Sequence, residues 1–231
     1  MLYNKARKRK GMKHMNIKAA IWDLDGTLLN TLDDLAASTN AALAANDLPA
    51  HTVDEVRQFV GNGIGKLIER AVPGGRENPK FQAVYDAFVA HYGAHSRDHT
   101  KPYDGILPML DALAAKGVKL AIVSNKIDFA VKALSRDYFG NRMQAAIGDD
   151  PSRRRKPAPD SVLEAMRQMG VTREETVYIG DSDVDVETAR NAGVACCAVS
   201  WGFRSVESLK EAGAERIAAN PQALLAMLEA L

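Results

Sequence analysis

The sequence predicts an α/β fold in which a parallel sheet is covered by helices and a helical segment is inserted near its start. Three observations carry this expectation. From about residue 16, short apolar runs alternate with amphipathic windows of helical period. Polar groups follow those runs, and in an open parallel sheet ligands bind outside the carboxyl ends of the strands. Residues 31 to about 100, in contrast, contain no convincing strand.

The elements follow in chain order. Residues 1–15 form a basic, disordered extension on this reading, with Met12 or Met15 as a candidate natural start. "KAAIWD" is the first strand, ending at Asp23. The chain then leaves the sheet for a helical domain over 31–101, and the core comprises 16–30 and 102–231. Inside the insertion, Thr31 with Asp34 and Thr52 with Glu55 are start signals. Asn78 and Pro79 open a window carrying Phe81, Val84, Tyr85, Phe88 and Val89. After "KPYDG", Leu107, Leu110 and Leu113 share a helical face that Gly117 closes. The strands "VKLAIVS", "MQAAIG", "TVYIGD" and "ACCAVS" come next, with a weaker one near Ile217. Between them Ser161 and Glu164 read as a capping box before Gly170, and Asn220 with Pro221 starts the last helix.

Composition narrows the class. With 231 residues and 46% hydrophobic content, the chain can bury a substantial core. No apolar run approaches the ~18 residues of a membrane helix and no secretory signal opens the chain, so a cytoplasmic protein with no membrane partner is expected. Cys196 and Cys197 are adjacent in a strand, point to opposite sides and read as small core residues. Six basic residues among 1–14 against a total of +1 leave the body at −5. The basic arm lacks aromatic interleaving, so no nucleic-acid partner is expected.

The chemistry concentrates at strand ends. Asp23 and Asp25 are i and i+2 on extended chain, so their carboxylates share a side and their repulsion calls for a cation. Mg²⁺ is favoured where one or two carboxylates and substrate oxygens complete the shell. A calcium loop counted from Asp23 fails, because Thr27 and Leu28 stand where an acid or amide and a glycine are required. Ser124 and Asn125 follow the next strand and can cradle phosphate oxygens, although such a pair also caps helices. Lys156, flanked by Pro157 and Pro159, can neutralise phosphate, whereas Arg153, Arg154 and Arg155 suit a solvated loop. In "YIGDSDVD", Asp181 is the expected metal ligand, Asp185 supports the ligands from behind, and Asp183 caps the following helix.

In the insertion, Gly61, Asn62 and Gly63 form a turn able to approach a ligand. Lys66 and Arg70, four apart on one helical face, suit a carboxylated phosphate ester as well as they suit an ordinary exposed surface. His91, His95 and His99 recur at i, i+4 and i+8, but without HExxH or cysteine partners they read as a polar stripe rather than a zinc site. Trp201 and Arg204 follow the last core strand and either border the site or pack.

DLDGT, VSN, KPAPD and GDSDVD, in this order at successive strand ends, make the sequence resemble the haloacid dehalogenase (HAD) superfamily over residues 17–231. "GNGIGKLIERA", "KPYDGI", "SNK" and "WGFRS" look most like its phosphoglycolate phosphatase branch. The resemblance implies a Rossmann-like core with a parallel sheet flanked by helices and an inserted α-helical cap of the C1 type. It implies that Asp23 attacks phosphorus to form an aspartyl-phosphate while Asp25 protonates the leaving oxygen and later activates water. It also implies Mg²⁺ held by Asp23, the backbone carbonyl of Asp25, and Asp181, with Ser124 and Lys156 holding the phosphoryl group. Such roles require an environment that favours protonated Asp25 more than protonated Asp23. The substrate implied is a small phosphorylated metabolite, first 2-phosphoglycolate. Pyrophosphate and sugar phosphates, including N-acetylmuramic acid 6-phosphate, are alternatives; a phosphomutase or a phosphate-binding regulatory protein is more remote.

Overall fold

The computed structural model describes residues 16–231, and the basic extension with its candidate start sites lies outside them. Six parallel strands form the central sheet: β1 (Ala19–Trp22), β4 (Lys119–Ile127), β5 (Ala145–Asp149), β6 (Thr176–Gly180), β7 (Ala195–Val199) and β8 (Ile217–Ala218). Their order is β5-β4-β1-β6-β7-β8, with the first strand in the middle between β4 and β6. Every residue of β1 is buried because both faces of the sheet are covered. Ala20 and Trp22 point into one apolar cluster with Leu24, Ile106, Leu110 and Phe139; Ala19 and Ile21 point into the opposite one with Val162, Ala165 and Tyr178. The period of two along four residues thus builds two cores at once.

Helices α5 (Ile106–Ala115), α6 (Asp128–Leu134), α7 (Asp160–Met169), α8 (Asp183–Ala192), α9 (Val206–Glu211) and α10 (Pro221–Glu229) connect and cover the strands. Between them and β1 stand α1 (Leu32–Ala44), α2 (Val53–Phe59), α3 (Ile64–Ala71) and α4 (Phe81–His95), which pack around their own core of Leu43, Val56, Ile68, Val84 and Phe88. This helical unit is flanked by two short strands that pair antiparallel, β2 (Leu29–Asn30) with β3 (Lys101–Pro102). Their pairing makes exit and return adjacent, so the insertion is spliced in without breaking the sheet.

Local signals divide into two groups. Thr52 and Glu55 form a reciprocal capping box, Asn220 caps α10 ahead of Pro221, and Gly170 ends α7 in the left-handed conformation. The expected cap at Thr31 is absent, and its buried Oγ1 has no partner. Asp34 instead accepts from the backbone N–H groups of His99 and Thr100 and from the Thr100 hydroxyl at 2.7–3.2 Å, tying the start of the insertion to its end. Ser161 does not cap either: α7 starts one residue earlier, and Glu164 pairs with Arg167 at 2.7 Å. The first departure occurs where tertiary partners replace the local bond, and the second where a guanidinium one turn along the same helix takes the carboxylate. Among the described residues no helix is long and apolar enough to cross a membrane.

Candidate active site

Because β1 lies between β4 and β6, the polar residues that end these three strands converge at the carboxyl edge of the sheet. Asp23 follows β1, and Lys156, on the loop after β5, places its Nζ 2.8 Å from Asp23 Oδ1 and 2.8 Å from Asp185 Oδ1. Lys156 also donates to the Tyr178 hydroxyl at 3.0 Å, which donates on to Asp185. Burial alone would discharge the ammonium, but Asp185 and Asp23 reverse that and hold its pKa well above the usual lysine value.

Asp181 lies opposite, accepting from Thr27 Oγ1 at 2.9 Å and from the backbone N–H of Phe203 at 2.7 Å. Ligand atoms of Asp23, Asp181 and Asp185 come within 4.8 Å of one another. Burial and the proximity of Asp185 push Asp181 up to about 7 from an ordinary 3.8, and burial with Asp185 raises Asp23 well above its usual range. When ionised, three carboxylates facing one Lys156 ammonium leave an excess of two negative charges. A divalent cation has the matching charge, and this oxygen donor set suits a hard one.

Backbone shape clears the space. A Cβ on Gly26, which has φ +87°, would sit 2.5 Å from Asp181 Oδ2, and one on Gly202 would sit 2.4 Å from the same oxygen. A Cβ on Gly180 would meet Asp185 at 2.3 Å. These glycines permit the chain to close around its acids.

The side chain of Asp25 stands apart from that cluster. Both its oxygens accept from Lys126 Nζ, at 3.0 and 3.2 Å, and Lys126 also donates to the Tyr92 hydroxyl at 2.7 Å from α4. Asp25 is thus paired with the Lys126 ammonium, while burial and the neighbouring Asp185 raise Asp23 above its usual range. A cation held against Asp23 would favour its ionised form.

Other residues have contacts that their spacing in the sequence does not encode. Ser124 lines the cavity above Asp23, and its Oγ accepts from the Lys126 backbone N–H at 3.2 Å. Asn125 is spent as a brace: Oδ1 accepts from Lys156 N at 3.0 Å, and Nδ2 donates to the carbonyls of Lys156 at 3.2 Å and Gly61 at 3.3 Å. The cap of α8 is Ser182, which forms a reciprocal box with Asp185; Asp183 only begins the helix, its side chain exposed. Gly61 and Gly63 line the cavity, but Asn62, Lys66 and Arg70 do not. Arg70 instead braces the turn through the Phe59 carbonyl at 2.7 Å and Asn62 Oδ1 at 2.8 Å, and Lys66 pairs with Glu69 at 2.6 Å.

Trp201 donates to the Thr27 carbonyl at 3.0 Å, and Arg204 to the carbonyls of Val60 at 2.6 Å and Arg57 at 3.1 Å, so WGFR joins core to insertion. His91 meets Ser38, His95 meets Asp98, and the His99 backbone meets Asp34. Cys196 and Cys197 are free thiols.

Sequence reasoning missed Lys126, Tyr92, Thr27 and Tyr178. Lys126 had a readable signal, since it is two residues from Ser124 on extended chain and therefore projects to the same side. Tyr92 had none, because only tertiary packing carries α4 to the strand ends.

Residues 20–199 match the family of haloacid dehalogenase-like hydrolases. The chain belongs to that family. Within it, the chain is 32% identical to the N-acetylmuramic acid 6-phosphate phosphatase of Pseudomonas aeruginosa, an alignment covering 94% of this chain and 97% of the relative. It is 33% identical to the phosphoglycolate phosphatase of Thiobacillus denitrificans, covering 81% and 85% respectively. A phosphoglycolate phosphatase-like structure from Lactobacillus delbrueckii subsp. bulgaricus superposes with a TM-score of 0.89 at 36% identity, covering 93% of this chain and 99% of that one. CbbY from Rhodobacter sphaeroides, solved in complex with phosphate, superposes at 0.77 with 25% identity, covering 92% and 99%. The sheet with its inserted helices is thus the fold of haloacid dehalogenase-like hydrolases.

Proposed function

We propose that this chain is a Mg²⁺-dependent phosphomonoesterase acting on a small phosphorylated metabolite through an aspartyl-phosphate on Asp23. The observation that carries the reading is the charge arrangement: a buried lysine between Asp23 and Asp185, with Asp181 opposite and two negative charges unbalanced. Asp23, the backbone carbonyl of Asp25, and Asp181 would hold Mg²⁺, with Asp185 fixing Lys156 from behind. Bound there, the ion supplies charge stabilisation to the phosphoryl oxygens.

In the first step an Asp23 oxygen bonds to phosphorus while the bond to the ester oxygen breaks, and Asp25 gives its proton to that oxygen. For Asp25 to carry that proton, Lys126 has first to turn from it towards the arriving phosphoryl group. In the second step Asp25 takes a proton from water as the water oxygen bonds to phosphorus, releasing inorganic phosphate and the Asp23 carboxylate. Ser124 and Lys156 hold the equatorial oxygens, and splitting the reaction replaces one difficult step with two easier ones.

The named relatives act on 2-phosphoglycolate and on N-acetylmuramic acid 6-phosphate, and these two esters are the substrate candidates. The test is phosphate release from both, from pyrophosphate and from sugar phosphates, with and without Mg²⁺. Asp23→Asn should lower kcat/KM by at least about a thousandfold on every active ester, and turnover surviving that change would remove Asp23 as nucleophile.

A further inference from the structure

Polar contacts seat the helical insertion on the core near the site, among them Asn125 Nδ2 to the Gly61 carbonyl at 3.3 Å, Lys126 Nζ to Tyr92 OH at 2.7 Å, and Arg204 Nη2 to the Val60 carbonyl at 2.6 Å. With these contacts made, a cavity of about 520 Å³ still extends from Asp23, Asp25, Ser124 and Lys156 to a wall built by α4 and α6. That volume lies in the range of roughly 300–1,000 Å³ that accommodates drug-sized ligands. A two-carbon acid ester leaves most of it empty.

The far wall is largely apolar, although Asp86 and Arg97 also line it. Tyr85 and Val89 come from α4, and Ile127, Phe129, Ala130 and Ala133 from the end of β4 and from α6. Among the described residues four large hydrophobic side chains are exposed, and three of them, Val89, Ile127 and Phe129, line this cavity. Phe129 is 66% exposed in the first turn of α6, three residues beyond Lys126. Apolar side chains gathered in this way at one concave site mark a surface that a ligand covers.

The charges point the same way. Lys126, Lys156 and Arg97 are the lysine and arginine residues of the lining, and each already faces an acid: Asp25 at 3.0 Å, Asp23 and Asp185 at 2.8 Å, and Asp137 at 2.8 Å. Lys66 and Arg70, the pair suited to a carboxylate, are outside the lining and engaged elsewhere. The wall offers a second carboxylate little and an apolar face much.

We infer that the substrate is a phosphomonoester whose leaving group is ring-sized and presents an apolar face to Phe129 and Val89. This rests on the phosphomonoesterase reading above and selects the substrate class within it.

The experiment compares ethyl phosphate, 2-phosphoglycolate, benzyl phosphate and N-acetylglucosamine 6-phosphate, all primary esters, with Mg²⁺. It uses the wild type, Phe129→Ser, Val53→Ser and Asp23→Asn. Val53 is exposed on α2 outside the cavity, so Val53→Ser controls for loss of surface apolarity. The wild type should favour the two ring esters over 2-phosphoglycolate at least tenfold in kcat/KM. Phe129→Ser should raise KM for the ring esters about tenfold, with a smaller change for ethyl phosphate, and Val53→Ser should change nothing. A preference for 2-phosphoglycolate, or an equal Phe129→Ser effect on all four esters, overturns the inference and leaves the phosphomonoesterase reading standing. No Asp23-dependent phosphate release from any ester overturns that reading itself.

Discussion

Lys156 is the residue on which the charge balance of the site turns, since its buried ammonium lies 2.8 Å from both Asp23 and Asp185. Truncating one partner of a buried pair costs about 3–5 kcal/mol, because the remaining charges are left without compensation. Lys156→Met should therefore lower unfolding stability by about that amount in urea titrations at pH 8. At pH 5 the loss should be smaller, as the stranded acids can take up protons. Gly26→Ala tests crowding rather than charge. Its Cβ would lie 2.5 Å from Asp181 Oδ2 at a φ of +87°, so Mg²⁺ affinity measured by calorimetry should fall at least tenfold. Asp181 itself sets a pH dependence. With its pKa raised from 3.8 to about 7 by burial and then Asp185, it is protonated in both folded and unfolded chains below about pH 4 and costs nothing there. As pH rises towards 7 the unfolded chain ionises first, so the cation-free protein loses stability, and Asp23 contributes in the same direction. Mg²⁺ should consequently raise Tm more at pH 8 than at pH 5.5, and Asp181→Asn should flatten that difference.

At the scale of elements, the join between insertion and core depends on Asp34. It is buried, and its carboxylate collects two backbone N–H groups and a hydroxyl from His99 and Thr100. Asp34→Ala strands those donors, and the expected loss is about 2–4 kcal/mol by urea unfolding, with proteolysis appearing first near residues 96–101. Asp34 also shows why some elements were readable and others were not. β1 could be found because burial on both faces demands an unbroken apolar run, and Asp23 because it ends that run. Thr52 and Glu55 could be found because their bonds are local. Asp34 has the spacing of a cap but serves a partner 65 residues away, and no local pattern encodes that choice. The same holds for Asn125, whose amide is claimed by Lys156 and Gly61, and for Arg70, which a face-based argument aims at substrate but the fold aims at Phe59. The chemistry of the strand ends was legible because four motifs occur in order, while the task of each insertion side chain depends on how two separate cores meet.

For the whole molecule, the two-residue pair of β2 and β3 is a narrow bridge between a sheet with cores on both faces and a helical unit with its own core. Phe203 spans that division. Its backbone N–H fixes Asp181 Oδ2 at 2.7 Å, while its ring is buried with Leu32, Leu35, Val60 and Leu67 in the core of the helical unit. One residue therefore orients an acid that would hold the cation and anchors the unit that covers the site. Linked equilibria work in both directions: if cation binding tightens the seating of the helices, seating must tighten the cation by the same factor. Phe203→Ala should weaken Mg²⁺ binding although it removes no ligand atom, and Mg²⁺ should slow hydrogen exchange in α1 and α3, well away from the carboxylates. Occupancy of the site and closure of its roof become one thermodynamic variable.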